Sequence, residues 1–220
     1  MLDLLLPQRC LICAAPGPQV CGTCTTALSR IEPPLCERCG NPTAWPVRRC
    51  SECEGRRLAF ARARAAVEYD SSVRRVVAAW KERGLRRLAA WAARVVAENV
   101  ARPDAAAIAC VPGDIDRRLT RGHHAAERLA QELSTAWSIP MISLLERTRA
   151  SARQRGKSRH ERRRNVRDAF RAVEAVPAKV ILVDDVYTTG STVDAAASAL
   201  RRAGARHVEV VTFARTIRFR

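Results

Sequence analysis

The chain has 220 residues and a formal charge of +17, from 39 Lys and Arg against 22 Asp and Glu. That length suits one α/β domain with a small appendage, and no run of about 18 apolar residues is present to cross a membrane. The surplus of positive charge attracts phosphate groups; arginine carries nearly all of it, because lysine occurs only at Lys81, Lys157 and Lys179.

The opening stretch "MLDLLLPQRC" has a short leucine cluster but neither a basic start nor a cleavage-site pattern, so it reads as mature sequence of a cytoplasmic protein. Eight of the nine cysteines then follow as four pairs with two residues between members: Cys10 and Cys13, Cys21 and Cys24, Cys36 and Cys39, Cys50 and Cys53. Both thiolates of such a turn reach one tetrahedral Zn²⁺, and two turns complete a site. A disulfide framework would need a secreted chain. Two structural zinc ions are therefore expected, each closed by four sulfurs. Sequential pairing is favoured, with a cross-braced exchange of the middle pairs as the alternative. Two zinc ions on eight thiolates would lower the net charge to about +13. The block serves either as a docking surface or as a metal-stapled fold, and it is assigned to residues 1–55, with residues 56–220 as the larger domain.

"LAFARARAAVEY" reads as an edge strand. Residues 71–83 read as a helix with Val73, Val76, Val77 and Trp80 on one face, stopped by Gly84. A second helix is expected over 85–99, then a short buried strand in "AAAIACVP" containing Cys110. A helix over 123–137 places Leu129 and Leu133 inward, and "PMISLLERT" reads as a strand running into a loop. From Glu146 to Arg171 the chain holds eleven Arg or Lys and three acids. "AKVILVDD" is an apolar run with no polar face, as in a buried parallel strand. A helix over 191–203 ended by Gly204 and a last strand in "HVEVVTFA" complete the alternation. The expected fold is α/β: a mostly parallel sheet flanked by helices, behind a small zinc-binding domain.

Asp184 and Asp185 stand at the carboxyl end of the apolar strand, where ligands bind in such folds. The turn from Tyr187 to Thr192 opens the next helix, and unpaired N–H groups there suit a phosphate. Gly190 allows close approach, while Thr188, Thr189, Ser191 and Thr192 offer hydroxyls. The two carboxylates accept from sugar hydroxyls, so the implied ligand is a ribose 5-phosphate. "GKS" at Gly156–Ser158 resembles the end of a P-loop, but the first glycine would fall at Ser151 and no apolar strand precedes it.

Val180–Thr192 resembles the phosphoribosyl pyrophosphate (PRPP) loop of type I phosphoribosyltransferases. With the cysteine pairs, "VPGDIDRRLTRGHHAAERLA" and "LLERTRASARQRGKSRHERRRNVRDAF", the chain resembles the ComF family over nearly its whole length. It departs from the family at "RGHH", where an aromatic residue and an asparagine are usual. The resemblance implies a type I phosphoribosyltransferase-like fold, with Asp184 and Asp185 on the ribose hydroxyls and Thr188–Thr192 on the 5-phosphate. It implies Mg²⁺ carried with PRPP, and the loop at Pro112 and Gly113 facing the pyrophosphate. A flexible basic loop including Arg147 and Arg149 would close over the reaction, and Lys81 would offer a further pyrophosphate contact. It also implies a link to DNA uptake in natural transformation. Two classes follow: a phosphoribosyltransferase with an unidentified acceptor, or a non-catalytic competence factor that binds single-stranded DNA or a helicase partner.

Overall fold

The computed structural model describes residues 8–85, 87–113, 124–148, 169–173 and 175–217. In chain order the elements are α1 (Gly22–Thr26), β1 (Arg62–Glu68), α2 (Ser71–Arg83), α3 (Leu88–Asn99), β2 (Ala107–Cys110), α4 (Ala125–Trp137), β3 (Leu145–Arg147), β4 (Phe170–Ala172), β5 (Lys179–Tyr187), α5 (Ser191–Arg202) and β6 (His207–Arg215).

β1, β6, β5 and β2 form, in that order, a four-stranded sheet in which every pairing is parallel. β5 is apolar throughout its first half because both faces are covered. Ile181 and Val183 join a core with α2, α3 and α4. Val180 and Leu182 turn to the other side, against α5, the β3–β4 ribbon and the second cysteine group. The parallel strands therefore all present their carboxyl ends at one edge, and that edge carries Asp184 and Asp185.

Local chemistry sets the helix ends. Asp70 caps α2 by accepting from the Val73 N–H at 2.8 Å, and Gly84 ends it in the left-handed region at φ 66°. α3 begins at Leu88 rather than residue 85. "PMISLLERT" is not one strand: Met141 makes an isolated bridge to Ile108, and only Leu145–Arg147 pairs, with Phe170–Ala172, in a separate antiparallel ribbon. Pro140 removes one donor at the start of that stretch, while Leu144 and Leu145 turn into the α5-side core.

The segment after α1 protects the edge of β1. Ile31 N–H donates to Ala66 O at 3.1 Å, and Glu68 N–H donates to Ser29 O at 2.9 Å. Farther along, Ala63 N–H donates to Arg38 O at 2.9 Å. An edge strand that would otherwise expose unpaired backbone groups is thus covered from within the chain. Among the described residues no helix is long and apolar enough to cross a membrane.

Candidate functional site

The eight N-terminal cysteines gather in sequence order into two groups: Cys10, Cys13, Cys21 and Cys24, then Cys36, Cys39, Cys50 and Cys53. The pairing is the sequential one, not the cross-braced one. Within each group all four sulfurs lie within 4.8 Å of one another. Cys13 and Cys21 are 3.8 Å apart, Cys36 and Cys53 3.6 Å, and Cys39 and Cys50 3.5 Å. Zinc bonds of about 2.3 Å in a tetrahedron demand sulfur–sulfur edges of about 3.8 Å, so both groups fit the ion. They are two zinc-binding sites. Burial opposes ionisation here, yet amide donors prevail at one sulfur in each group: the Cys10 thiol falls to about 6 and the Cys36 thiol to about 7. Four thiolates fill each coordination sphere, so both sites are structural.

The first site packs on the α3 side, where Trp91 Nε1 donates to Thr25 Oγ1 at 3.0 Å. The second packs on the α5 side, in one core with Phe60 and Tyr187.

At the carboxyl edge of the sheet, Asp185 is 8% exposed. Its Oδ1 accepts from Lys81 Nζ at 2.7 Å, which joins the last turn of α2 to the end of β5. Asp184 is half-buried, and its Oδ1 accepts from the Asp185 N–H at 2.9 Å. Burial, and next the charge of Asp185, push the Asp184 carboxyl up to about 8. Val111 N–H donates to Val183 O at 2.9 Å, so Pro112 and Gly113 follow β2 out of the sheet beside Asp184. Gly113 faces the His124 ring, which a Cβ would meet at 2.4 Å.

The turn follows at once. Thr188, Thr189, Ser191 and Thr192 are exposed, and Gly190 is buried. Thr189 Oγ1 and Ser191 Oγ are 3.0 Å apart. Gly190 adopts φ 73°, and a Cβ on it would lie 2.2 Å from Tyr187 Oη. Replacing it with alanine meets both the left-handed penalty and that clash. Gly190→Ala is expected to lose at least about 1–2 kcal/mol of stability, measured by urea unfolding.

The raised carboxyl makes a further expectation. Between roughly pH 4 and 8 Asp184 is protonated in the folded chain and ionised in the unfolded one. The unfolded chain then binds fewer protons, so stability falls as pH rises through that window. Asp184→Asn removes this loss. Its gain in Tm over wild type is expected to grow from about pH 5 to about pH 8; a pH-independent difference would contradict the assignment.

Lys81, Pro112, Gly113, Asp184, Asp185 and the turn thus come to one edge of the sheet. Arg147 lies on β3 with its guanidinium 5.5 Å from the Phe170 ring centroid. Arg149 lies outside the described residues, as does most of the basic stretch. Two residues not singled out in the sequence, Arg215 and Asp194, support the turn together with Tyr187, which the sequence places at its start. Tyr187 is buried beneath it, edge-on to Phe60 at 6.4 Å. Arg215 at the end of β6 stacks on Tyr187 with 4.8 Å to the ring centroid. Asp194 in the first turn of α5 accepts from the Ala59 N–H at 2.7 Å. Burial pushes the Tyr187 hydroxyl above its ordinary range. No short-range pattern marks Arg215 or Asp194, because their partners lie far along the chain.

The family models that match the chain agree with this arrangement. Residues 1–54 match the double zinc ribbon domain, and residues 119–218 match the phosphoribosyl transferase domain. The chain is 32% identical to the DNA utilization protein YhgH of Salmonella typhimurium, over 97% of this chain and 100% of that protein. It is 28% identical to Competence protein F of Haemophilus influenzae, over 88% of this chain and 90% of that protein. Among solved structures, the glutamine phosphoribosylpyrophosphate (PRPP) amidotransferase from B. subtilis aligns at 24% identity and a TM-score of 0.41, over 58% of this chain and 25% of that one.

Proposed function

The chain belongs to the ComF family, with a double zinc ribbon ahead of a phosphoribosyltransferase domain, and from that premise we propose that it binds PRPP and transfers its ribose 5-phosphate to an acceptor. One observation carries the reading: two carboxylates lie near the carboxyl end of β5, which runs on through Val186 and Tyr187, and within three residues the chain enters a hydroxyl-rich turn that opens α5. The N–H groups of a helix start favour a phosphate; here that of Ser191 makes a long contact of 3.4 Å to Thr189 Oγ1, which a phosphate oxygen would replace. The carboxylates repel phosphate but accept from ribose hydroxyls, and the ligand's own geometry spaces the two contacts.

Lys81 holds Asp185 in place and keeps a positive charge beside the site. A protonated Asp184 can donate to a ligand oxygen as well as accept from a hydroxyl. Pro112 and Gly113 offer backbone at the side where a pyrophosphate would leave. Mg²⁺ fits as an ion carried on the ligand's oxygens, since Asp185 is already engaged by Lys81; it would supply neutralisation of the pyrophosphate charge. In the transfer, a bond forms between the acceptor and the anomeric carbon while the bond to the pyrophosphate oxygen breaks and pyrophosphate departs with its electron pair. The test is pyrophosphate release on incubation with PRPP, Mg²⁺ and a panel of nucleobases. Release that needs both PRPP and one acceptor is the expected result; PRPP binding without release under any acceptor would reduce the reading to binding alone.

A second reading, docking of single-stranded nucleic acid, is favoured by a separate surface. A cleft of about 770 Å³ lies between the second zinc site and the amino ends of β1 and β6, and Arg38, Arg48, Arg49, Arg62 and Arg64 line it with Glu37 and Glu209. Arg38 and Arg64 are turned to backbone carbonyls; Arg48, Arg49 and Arg62 are exposed, with Arg49 donating to Arg56 O at 2.9 Å and Arg62 paired with Glu209 at 2.5 Å. Trp45, 69% exposed, stands on the same zinc-site loop, three residues before Arg48. Exposed arginines and an exposed aromatic ring on one loop suit a phosphate backbone and a stacked base. Trp45→Ala with Arg48→Gln and Arg49→Gln is expected to weaken binding of a fluorescent oligothymidylate at least tenfold and to flatten its salt dependence. Unchanged affinity would discard this reading.

A further inference from the structure

We propose that the second zinc site positions the phosphate-binding turn, acting through Arg215 and Tyr187; the inference rests on the phosphoribosyl reading of that turn. The guanidinium of Arg215, 1% exposed, donates to the carbonyl oxygen of Cys39. It also lies 3.0 Å from Glu52 Oε2. Cys39 ends the first cysteine turn of the second zinc site, and Glu52 lies inside the other. One side chain from the carboxyl end of β6 thus ties both turns of the zinc site. The same guanidinium stacks on the ring of Tyr187, whose hydroxyl fills the space a side chain at Gly190 would need. The backbone completes the link: Thr216 N–H donates to Tyr187 O at 2.9 Å.

A buried guanidinium is unfavourable unless charge and hydrogen-bond acceptors surround it. Here the acceptors come from the zinc site, so Arg215 keeps this position only while the metal holds both cysteine turns. Tyr187 in turn is clamped between Arg215 and Phe60. The turn above it needs its N–H groups aimed at one point, and a loosened Tyr187 would let Gly190 move. A chain of contacts becomes evidence of coupling only when both ends are shown to respond, which the variants below can test. Arg215 is a positioning residue in this account, since it supports the turn from below. Lysine at this place would lack the fork that serves both acceptors.

The test uses full-length, zinc-loaded chains carrying Arg215→Met, Arg215→Lys or Glu52→Gln. Three readouts are taken: hydrogen exchange of residues 187–192, exchange of α3 on the far side of the sheet, and calorimetric titration with PRPP and Mg²⁺. In Arg215→Met and Arg215→Lys, exchange at 187–192 is expected to rise at least tenfold with α3 unchanged, and PRPP affinity to fall about tenfold. Glu52→Gln, which keeps the cysteine ligands and bulk, is expected to give a smaller change in the same places, and it decides the matter if the Arg215 variants fail to fold. Equal acceleration at 187–192 and in α3 would make Arg215 a residue of general stability and overturn the inference. Unchanged exchange in folded variants would also overturn it. If wild type itself takes no PRPP, the phosphoribosyl reading fails on its own, and the exchange measurements still decide whether the zinc site holds the turn.

Discussion

Replacing Asp184 and Asp185 together with alanine is expected to lower PRPP affinity at least about thirtyfold while affinity for inorganic phosphate stays within about threefold of wild type. Asp185, ion-paired with Lys81, would accept from one ribose hydroxyl in a charge-assisted hydrogen bond worth about 1.5–3 kcal/mol, and Asp184, whose carboxyl burial pushes up to about 8, would add about 0.5–1.5 kcal/mol as a neutral group. Losing both removes at least about 2 kcal/mol, which is a factor of about thirty or more. In this reading inorganic phosphate would engage only the turn, so it would report whether the helix start survives. The fold should survive as well: Asp184 is held half-buried with its carboxyl pushed up by burial and by Asp185, and removing both acids relieves that. Lys81 loses its partner but remains accessible to water. Competition calorimetry with PRPP, ribose 5-phosphate and phosphate measures all three affinities. Equal losses for phosphate and PRPP would mean that the aspartates support the turn and do not read the sugar.

The second large effect concerns the metal. Removing zinc is expected to unfold the amino-terminal block, residues 8–53, while the parallel sheet persists. The only helix in that block is five residues long, too short to stand by itself. Its buried apolar residues outside the cysteines are Val20, Leu28 and Ile31. Binding of a structural zinc in small peptides is worth about 10–16 kcal/mol at neutral pH, far more than three side chains supply. Two zinc ions per chain by elemental analysis, and protease cuts confined to the block after chelation, are the expected results. Because thiolates must stay ionised, the ions should also leave on acidification. A block that resists protease when metal-free would show that packing against the sheet suffices.

Much of this architecture was legible in the sequence. The cysteine spacing gave both zinc groups, because four sulfurs two residues apart in pairs are a local constraint. The unbroken apolar run into Asp184 gave a doubly covered parallel strand, and Gly84 and the period of Val73, Val76, Val77 and Trp80 gave α2 to its bounds. The Asp pair and the turn were visible for the same reason, since strand end, carboxylates and helix start are contiguous. What was hidden depends on distant contacts. The short pairing of Leu145–Arg147 with Phe170–Ala172 joins segments separated by the basic stretch, and each is too brief for a period to register. Arg215 read as one more arginine among many. Its burial follows from Glu52 and the Cys39 carbonyl, 163 and 176 residues away. Trp45 could not be told from a core aromatic until its exposure was known.

The central claim is that the edge of the sheet formed by Asp184, Asp185 and Thr188–Thr192 binds a phosphoribosyl ligand. Calorimetric titration of the zinc-loaded chain with PRPP in the presence of Mg²⁺ tests it most directly. The account predicts saturable binding of one PRPP per chain, competed by ribose 5-phosphate. A folded, zinc-loaded chain that takes up no PRPP would contradict it.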